Sequence, residues 1–146
     1  MIIDALNLFS DAQAVTTTAV STSSVDLGIA ARDIGKGEDL FLVVQLAAAM
    51  TGTNANSTLV ELVTDDNPGI NSAALVQTIG TFPTNSLVGT RLIVPIAPGT
   101  FERYIALRYT PANTLTTCSI TSFITGEAPD GFQAYAKSTG SVIATS

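Results

Sequence analysis

The side chains that could support chemistry are few in this sequence of 146 residues. It contains no His and one Cys, and charged residues make up only 12% of it. Hydrolysis by a catalytic triad needs an imidazole that carries a proton between nucleophile and leaving group, so the absence of His excludes that class of enzyme. Serine–lysine chemistry would need Lys36 or Lys137 buried beside a Ser. Lys36 stands between two glycines in an expected turn, where it would be solvated.

The acidic residues suggest two further kinds of site, paired carboxylates for glycoside cleavage and oxygen ligands for Ca²⁺. Most of them lie in expected turns, where Asp hydrogen-bonds to nearby backbone, and only Glu61 stands inside a clear strand pattern. Asp65-Asp66-Asn67 lacks the ligand spacing of an EF-hand loop and runs into Pro68-Gly69, which indicates a tight turn. One Cys without His cannot complete a zinc site. We therefore expect no enzyme activity, no metal and no cofactor.

The charge of the chain is unsuited to nucleic acid and to membranes. The net charge is −6 and the isoelectric point is about 4.2, so an anionic bilayer would repel it. Gly35-Lys36-Gly37 lacks the P-loop spacing, and the longest apolar stretch, Leu40–Met50, falls short of the ~20 residues that cross a bilayer. The cations that would displace counterions from phosphate are scattered: Arg32, Lys36, Arg91, Arg103, Arg108 and Lys137. We expect no direct nucleic-acid partner and no membrane partner.

Hydrophobicity and the lone cysteine indicate a protein that associates with itself or with a partner. Apolar residues make up 46% of the chain and the mean hydropathy is +0.40, which is high for a domain with so few charges. Such a composition predicts apolar surface that an interaction keeps dry, as in a homodimer or a homotrimer. Cys118 lies in an apolar, β-branched stretch, which predicts a buried, unreactive thiol. A single Cys fits a reducing compartment.

Turn residues recur about every ten positions and separate apolar runs of strand length, a spacing typical of a β-sandwich or barrel. Alternation is clear in one run, where Ile105, Leu107 and Tyr109 share a face, and in another, where Val60 and Leu62 face away from Glu61. The continuous apolar run Leu40–Leu46 predicts a central strand covered on both faces. We predict an all-β antiparallel fold with about eight strands: Ala12–Ser21, Ser24–Ile29, Leu40–Ala49, Thr58–Thr64, Ala74–Thr81, Arg91–Ile96, Arg103–Tyr109 and Cys118–Thr125.

Both ends of the chain have the composition of extended arms. We predict an N-terminal arm over residues 1–14, a β-sandwich domain over 15–125 and a C-terminal arm over 126–146. The last segment is rich in Ser, Thr, Ala and Gly. Two interpretations stay open, frayed termini and arms whose apolar residues dock on a neighbouring subunit.

A series of short segments stands in an order that resembles a known family. The segments are Leu8–Ala14, Val25–Gly28, Ala31–Gly35, Gly37-Glu38, Glu61–Asn67 and Pro98–Tyr109. Together they are similar to the capsid cement (decoration) proteins of tailed bacteriophages, specifically the small β-rich family found on podovirus-type heads. The resemblance covers roughly Leu8 to Thr125, and the segment beyond Gly126 is longer than this family leads us to expect.

The resemblance implies a jelly-roll-like β fold and a virion structural role without enzyme activity. It implies an oligomer on the outer capsid surface, made in the cytoplasm of the host bacterium, that bridges major capsid subunits and stabilises the shell against internal DNA pressure. The alternative that the sequence leaves open is a carbohydrate-binding β-sandwich module on the virion surface. Against that alternative, the chain has no Trp and only three Tyr on which a sugar ring could stack.

The residues expected to contact neighbouring subunits fall into two sets. One lies in the arms, and the other in turns near Asp33–Glu38 and Asn67–Asn71 that should be exposed. The candidate contact residues are Ile2, Ile3, Leu6, Leu8, Phe9, Arg32, Asp33, Lys36, Glu38, Asn67, Asn71, Phe132 and Tyr135.

Overall fold

A computed structural model describes residues 5–28, 32–34, 40–53, 56–97 and 99–126. Over these ranges the chain is all-β, with one 3₁₀ turn at Ala5–Asn7. No helix in the described residues is long and apolar enough to span a bilayer. The strands are β1 Leu8–Ala14, β2 Ala19–Val20, β3 Val25–Asp26, β4 Arg32–Ile34, β5 Phe41–Thr51, β6 Thr58–Asp65, β7 Ala74–Phe82, β8 Arg91–Pro95, β9 Gly99–Phe101, β10 Tyr104–Pro111 and β11 Thr117–Thr125.

The long strands form two antiparallel sheets with jelly-roll connectivity. Sheet I has the order β1-β11-β5-β8, and sheet II has the order β2-β10-β6-β7, with β3 also pairing with β10. If β2 and β3 are taken as one interrupted strand and the short β4–β9 ribbon is set aside, eight strands remain. They run 1-8-3-6 across sheet I and 2-7-4-5 across sheet II, which is the jelly-roll order. The predicted fold class is therefore confirmed.

The core lies between the two sheets and follows the period-2 pattern of the sequence. Ile105, Leu107 and Tyr109 are fully buried in it. On the opposite face of β10, Ala106 packs in a smaller cluster with Val63. Both alternation predictions are confirmed, since Val60 and Leu62 also lie in the core.

The outer face of sheet I is also partly covered. In β5 the side chains of Leu42, Val44 and Leu46 point into the core, so Val43 points outward, yet only 3% of it is exposed. Phe123, which lies opposite Val43 in the adjacent strand β11, is 4% exposed. The prediction that this central strand is covered on both faces is confirmed at Val43.

The largest error of the sequence prediction is at the start of the sandwich. The predicted strand Ala12–Ser21 is wrong, because β1 begins at Leu8 and ends at Ala14, and a bend over residues 16–18 carries the chain to sheet II. The predicted arm over residues 1–14 is corrected for the same reason, since residues 8–14 pair with β11. The fully buried Val15 anchors the crossing. Of the predicted C-terminal arm over residues 126–146, all but Gly126 lies outside the described residues.

Candidate functional site

The predicted contact residues near the N-terminus have different environments. Leu6 is 81% exposed and Leu8 is half-buried. Phe9 is fully buried in the core, so the prediction that it reaches a neighbouring subunit is wrong: a side chain that fills the space between two sheets cannot also leave it. Ile2 and Ile3 lie outside the described residues.

Four of the other predicted contacts lie within the described residues, two in a turn and two in a short strand. Asn67 and Asn71 are exposed in the connection over residues 66–73, as expected. Arg32 and Asp33 belong to β4, which pairs with β9. The remaining predicted contacts lie outside the described residues: Lys36, Glu38, Phe132 and Tyr135.

The connection over residues 66–73 is organised by the carboxylate of Asp65. One oxygen accepts a hydrogen bond from Asn67 N at 3.0 Å, and the other accepts one from Ser72 N at 2.6 Å. These bonds favour the charged form and lower the pKa of Asp65 below its ordinary value. Ile70 adopts a φ of 51° and covers Val63 on the outer face of sheet II. The turn interpretation of this segment is confirmed, since its central carboxylate binds its own backbone.

Charged side chains gather at the same end. Arg103 donates to both carboxylate oxygens of Asp26 at 2.9 and 3.0 Å, and its guanidinium lies 5.2 Å from the ring centre of Tyr104. The pKa of Glu102 is raised, first because the carboxyl loses solvent and then because Asp66 and Asp65 are nearby. We call this end of the sandwich, where the described residues of the connections 27–40, 66–73 and 96–103 lie, the charged end.

The connections at the opposite end are joined by hydrogen bonds. Leu115 N donates to Thr16 O and Thr116 N donates to Thr51 O. Asn56, which is fully buried, accepts from Asn85 N at 3.0 Å through its side-chain oxygen. We call this end, where the described residues of the connections 15–18, 52–57, 83–90 and 112–116 lie, the uncharged end, because none of the four contains Asp, Glu, Lys or Arg.

Two large aliphatic side chains project from the uncharged end. Leu87 is 72% exposed and Val88 is 63% exposed. They occupy a four-residue turn closed by Thr90 N donating to Leu87 O, and Gly89 at its third position has a φ of 87°, as a type II turn requires. The sequence analysis did not identify this pair. The sequence could have revealed the pair, because turns favour Gly, Pro, Asn, Asp and Ser. Leu87 and Val88 are two aliphatic residues within a segment that otherwise has this turn composition.

The turn that carries this pair is fixed to sheet I. Gly89 N donates to Leu46 O, and Leu46 N donates to Thr90 O. At the other side of the connection, Met50 N donates to Ser86 O and Ser86 Oγ donates to Pro83 O at 2.6 Å. The backbone of the connection therefore continues the ladder of β5, so the turn projects from a sheet that is already formed.

Between the two sheets, buried polar groups connect one sheet to the other. The phenol of Tyr109, in sheet II, lies 2.8 Å from the hydroxyls of Ser10 and Ser122, in sheet I. Burial raises the pKa of Tyr109 to about 12. Cys118 is buried in the same core, as predicted, and loss of solvent raises the pKa of its thiol to about 11.

Several charged side chains of the described residues bind one another or the backbone. Among the described residues, no group of three or more Cys, Asp and Glu residues is arranged to hold a metal ion. Arg108 and Glu61 pair with each other at 2.9 Å across sheet II, Asp26 pairs with Arg103, and Asp65 binds its own loop. The features that face outward include the charged end, Leu6 and the aliphatic pair Leu87–Val88.

A family profile described as Bbp16 matches residues 9–124. The chain belongs to the Bbp16 family. The Bbp16 match spans the sandwich from β1 to β11, so both ends of the molecule, including the turn with Leu87 and Val88, lie within the family's common segment. It covers nearly the same residues as the resemblance to cement proteins found in the sequence. No curated protein matches the chain.

Proposed function

We propose that this protein is a capsid cement (decoration) protein, a virion structural protein without enzyme activity that binds the outer surface of a phage head. The observation that carries the proposal is the turn Leu87–Thr90, in which two adjacent aliphatic side chains are exposed at one end of the jelly roll. Contiguous exposed apolar surface marks interaction sites. The sequence resemblance and membership in the Bbp16 family support the same conclusion.

A cement protein works by making the joints between capsid subunits harder to separate. Packaged DNA pushes the shell outward, and each copy that spans a joint adds an interface, of about 1,600 Å² in total if it has the standard size. Because many copies bind one shell, modest individual affinities add up through multivalency. A rigid sandwich suits this task, since it loses little conformational freedom on binding. The partners in this proposal are the major capsid protein and further copies of the chain.

The direct test uses heads of the encoding phage that lack this protein. Purified protein is added, the heads are pelleted, and the bound protein is counted against the major capsid protein. Decorated and bare heads are then heated, and release of DNA is followed with a dye. Saturable binding together with a higher release temperature is the expected result.

Two results would overturn the proposal. One is a protein that stays in the supernatant at every concentration. The other is a protein that ignores heads and binds a defined sugar on a glycan array, which is the alternative raised by the sequence. The aromatic side chains in the described ranges are buried or only half-exposed, so the array is expected to be blank.

A further inference from the structure

Charge is distributed unequally between the two ends of this sandwich. The chain has six basic and twelve acidic residues, and none of them lies in the four connections of the uncharged end. The described residues of the charged end include Arg32, Asp33, Asp66, Glu102 and Arg103. The two ends therefore differ in the free energy that it costs to desolvate them.

The uncharged end loses water at low cost when a partner covers it. Among the residues that the structure describes there, the exposed ones are Thr, Asn, Ala, Pro, Gly89 and the pair Leu87–Val88. Removing solvent from a hydroxyl or an amide costs far less than removing it from an ion, and the cores of protein interfaces are correspondingly poor in charged residues. At the charged end, a partner would have to desolvate or match ions of both signs.

The aliphatic pair has the properties of an interface anchor. The turn is fixed by hydrogen bonds to β5, so little order remains to be gained when Leu87 and Val88 enter a pocket. Val88 is β-branched and has few side-chain rotamers. Anchors of this kind, surrounded by near-neutral contacts that exclude water, supply most of the binding energy of an interface. The Thr and Asn residues around the pair would make the near-neutral contacts that exclude water.

We infer that the uncharged end is the docking face of the protein, and that its partner is an uncharged protein surface with an apolar pocket that takes Leu87 and Val88. The inference rests on the proposed function and adds to it the chemistry of the partner. A lipid surface is a poor match, because the end has no cation to meet a headgroup and only two anchors. A sugar is also a poor match, because the described part of this end presents no aromatic platform. Asn67 and Asn71, which belong to the face predicted from the sequence, lie at the opposite end.

The test is a binding titration on bare heads with matched variants. The double variant Leu87→Ser/Val88→Ser removes the anchors, and Thr84→Glu adds a charge beside them on an exposed side chain. The control is Leu75→Ser, which removes another exposed leucine, 55% accessible, from β7 near the charged end. Denaturation midpoints are measured for all three, and all should stay near that of the wild type because the altered side chains are exposed.

The expected result has two parts. Both uncharged-end variants bind about tenfold more weakly or worse, while Leu75→Ser binds like the wild type. The affinity of the wild type changes little between about 0.05 and about 0.5 M salt, because a neutral interface has no charge attraction to screen. Wild-type binding that survives in both variants, or that disappears at high salt, would overturn the inference and leave the proposed function standing. A wild type that ignores heads would overturn both.

Discussion

The phenolic oxygen of Tyr109 lies 2.8 Å from the hydroxyl oxygen of Ser122, across the space between the two sheets. Ser10, on the edge strand β1, lies at the same distance from that phenol and donates to Gln13 Oε1 at 2.7 Å. Gln13 in turn donates to Val20 O in sheet II. A jelly roll held only by apolar packing could slide one sheet over the other. These directional contacts fix the position of each sheet relative to the other.

Tyr109→Phe is expected to destabilise the fold by about 1–3 kcal/mol, because it leaves the buried hydroxyls of Ser10 and Ser122 without their shared partner. Urea unfolding monitored by circular dichroism gives the free energy of unfolding. The control is Tyr104→Phe, at a half-buried phenol on the outer face of sheet II, which should change the stability little. Equal stabilities of the two variants would contradict the role assigned to the Tyr109 hydroxyl.

Stability is expected to fall at alkaline pH. The pKa of Tyr109 is raised from 10.0 to about 12 in the folded protein. Between these values the unfolded chain releases the phenol proton first, so each step up in pH favours unfolding. The thiol of Cys118 acts in the same direction from 9.0 to about 11. Tyr109→Phe should therefore flatten the decline between pH 10 and 12, and an unchanged slope would contradict the raised pKa.

The thiol of Cys118 is expected to be silent toward reagents in the native protein. It is 4% exposed, and burial raises its pKa to about 11, so almost no thiolate forms at neutral pH. A chromogenic disulfide reagent should detect no thiol in the folded protein and one per chain in denaturant, since the sequence holds one Cys. Rapid labelling of the native protein at pH 7 would be evidence against this environment.

Acid is expected to loosen the connection over residues 66–73. The pKa of Asp65 is lowered by hydrogen bonds from backbone N–H groups, first from Ser72, so its contribution is present above the unfolded value of 3.8 and is lost as the pH falls through the folded pKa. Nearby, the pKa of Glu102 is raised, so that group opposes this trend. Asp65→Asn should speed hydrogen exchange at the amides of Asn67 and Ser72 at neutral pH.

Asp66→Asn is the matched control for that exchange experiment, because Asp66 is exposed next to Asp65. Its loop amides should keep the wild-type exchange rates. If the two variants exchange at the same rate, Asp65 does not organise the loop.

The sequence predicted the long strands from β5 onward. β5, β6, β7, β8, β10 and β11 begin and end within two residues of their predicted bounds, because flanking turn residues mark their ends and, in β6 and β10, alternation also marks their faces. The bend over residues 16–18 was missed because Thr-Thr-Thr favours strands and carries no Gly or Pro. Its cause is tertiary, since Val15 N donates to Cys118 O and Leu115 N donates to Thr16 O.

The candidate docking end was missed for a related reason. Composition predicted that the protein has apolar surface but not where this surface lies. Whether a hydrophobic residue in a connection is exposed depends on how that connection folds against the sheets. Ile70 and Leu87 both lie in connections between strands, yet Ile70 is 8% exposed and Leu87 is 72% exposed. The difference is set by Asp65, which folds one connection back over sheet II, and by the β5 ladder, which extends the other outward.

Gly89→Ala tests whether the shape of the aliphatic turn matters. Gly89 has a φ of 87° and open space where a Cβ would stand, so the cost of Ala is conformational, about 1–2 kcal/mol in the left-handed region. The turn should relax to another conformation and move Leu87 and Val88 without removing either side chain. We expect a small drop in stability and weaker binding to bare heads. The control is Gly126→Ala, which also meets open space and has no left-handed φ. Wild-type affinity in Gly89→Ala, combined with the expected loss of stability, would mean that the partner does not read the conformation of this turn.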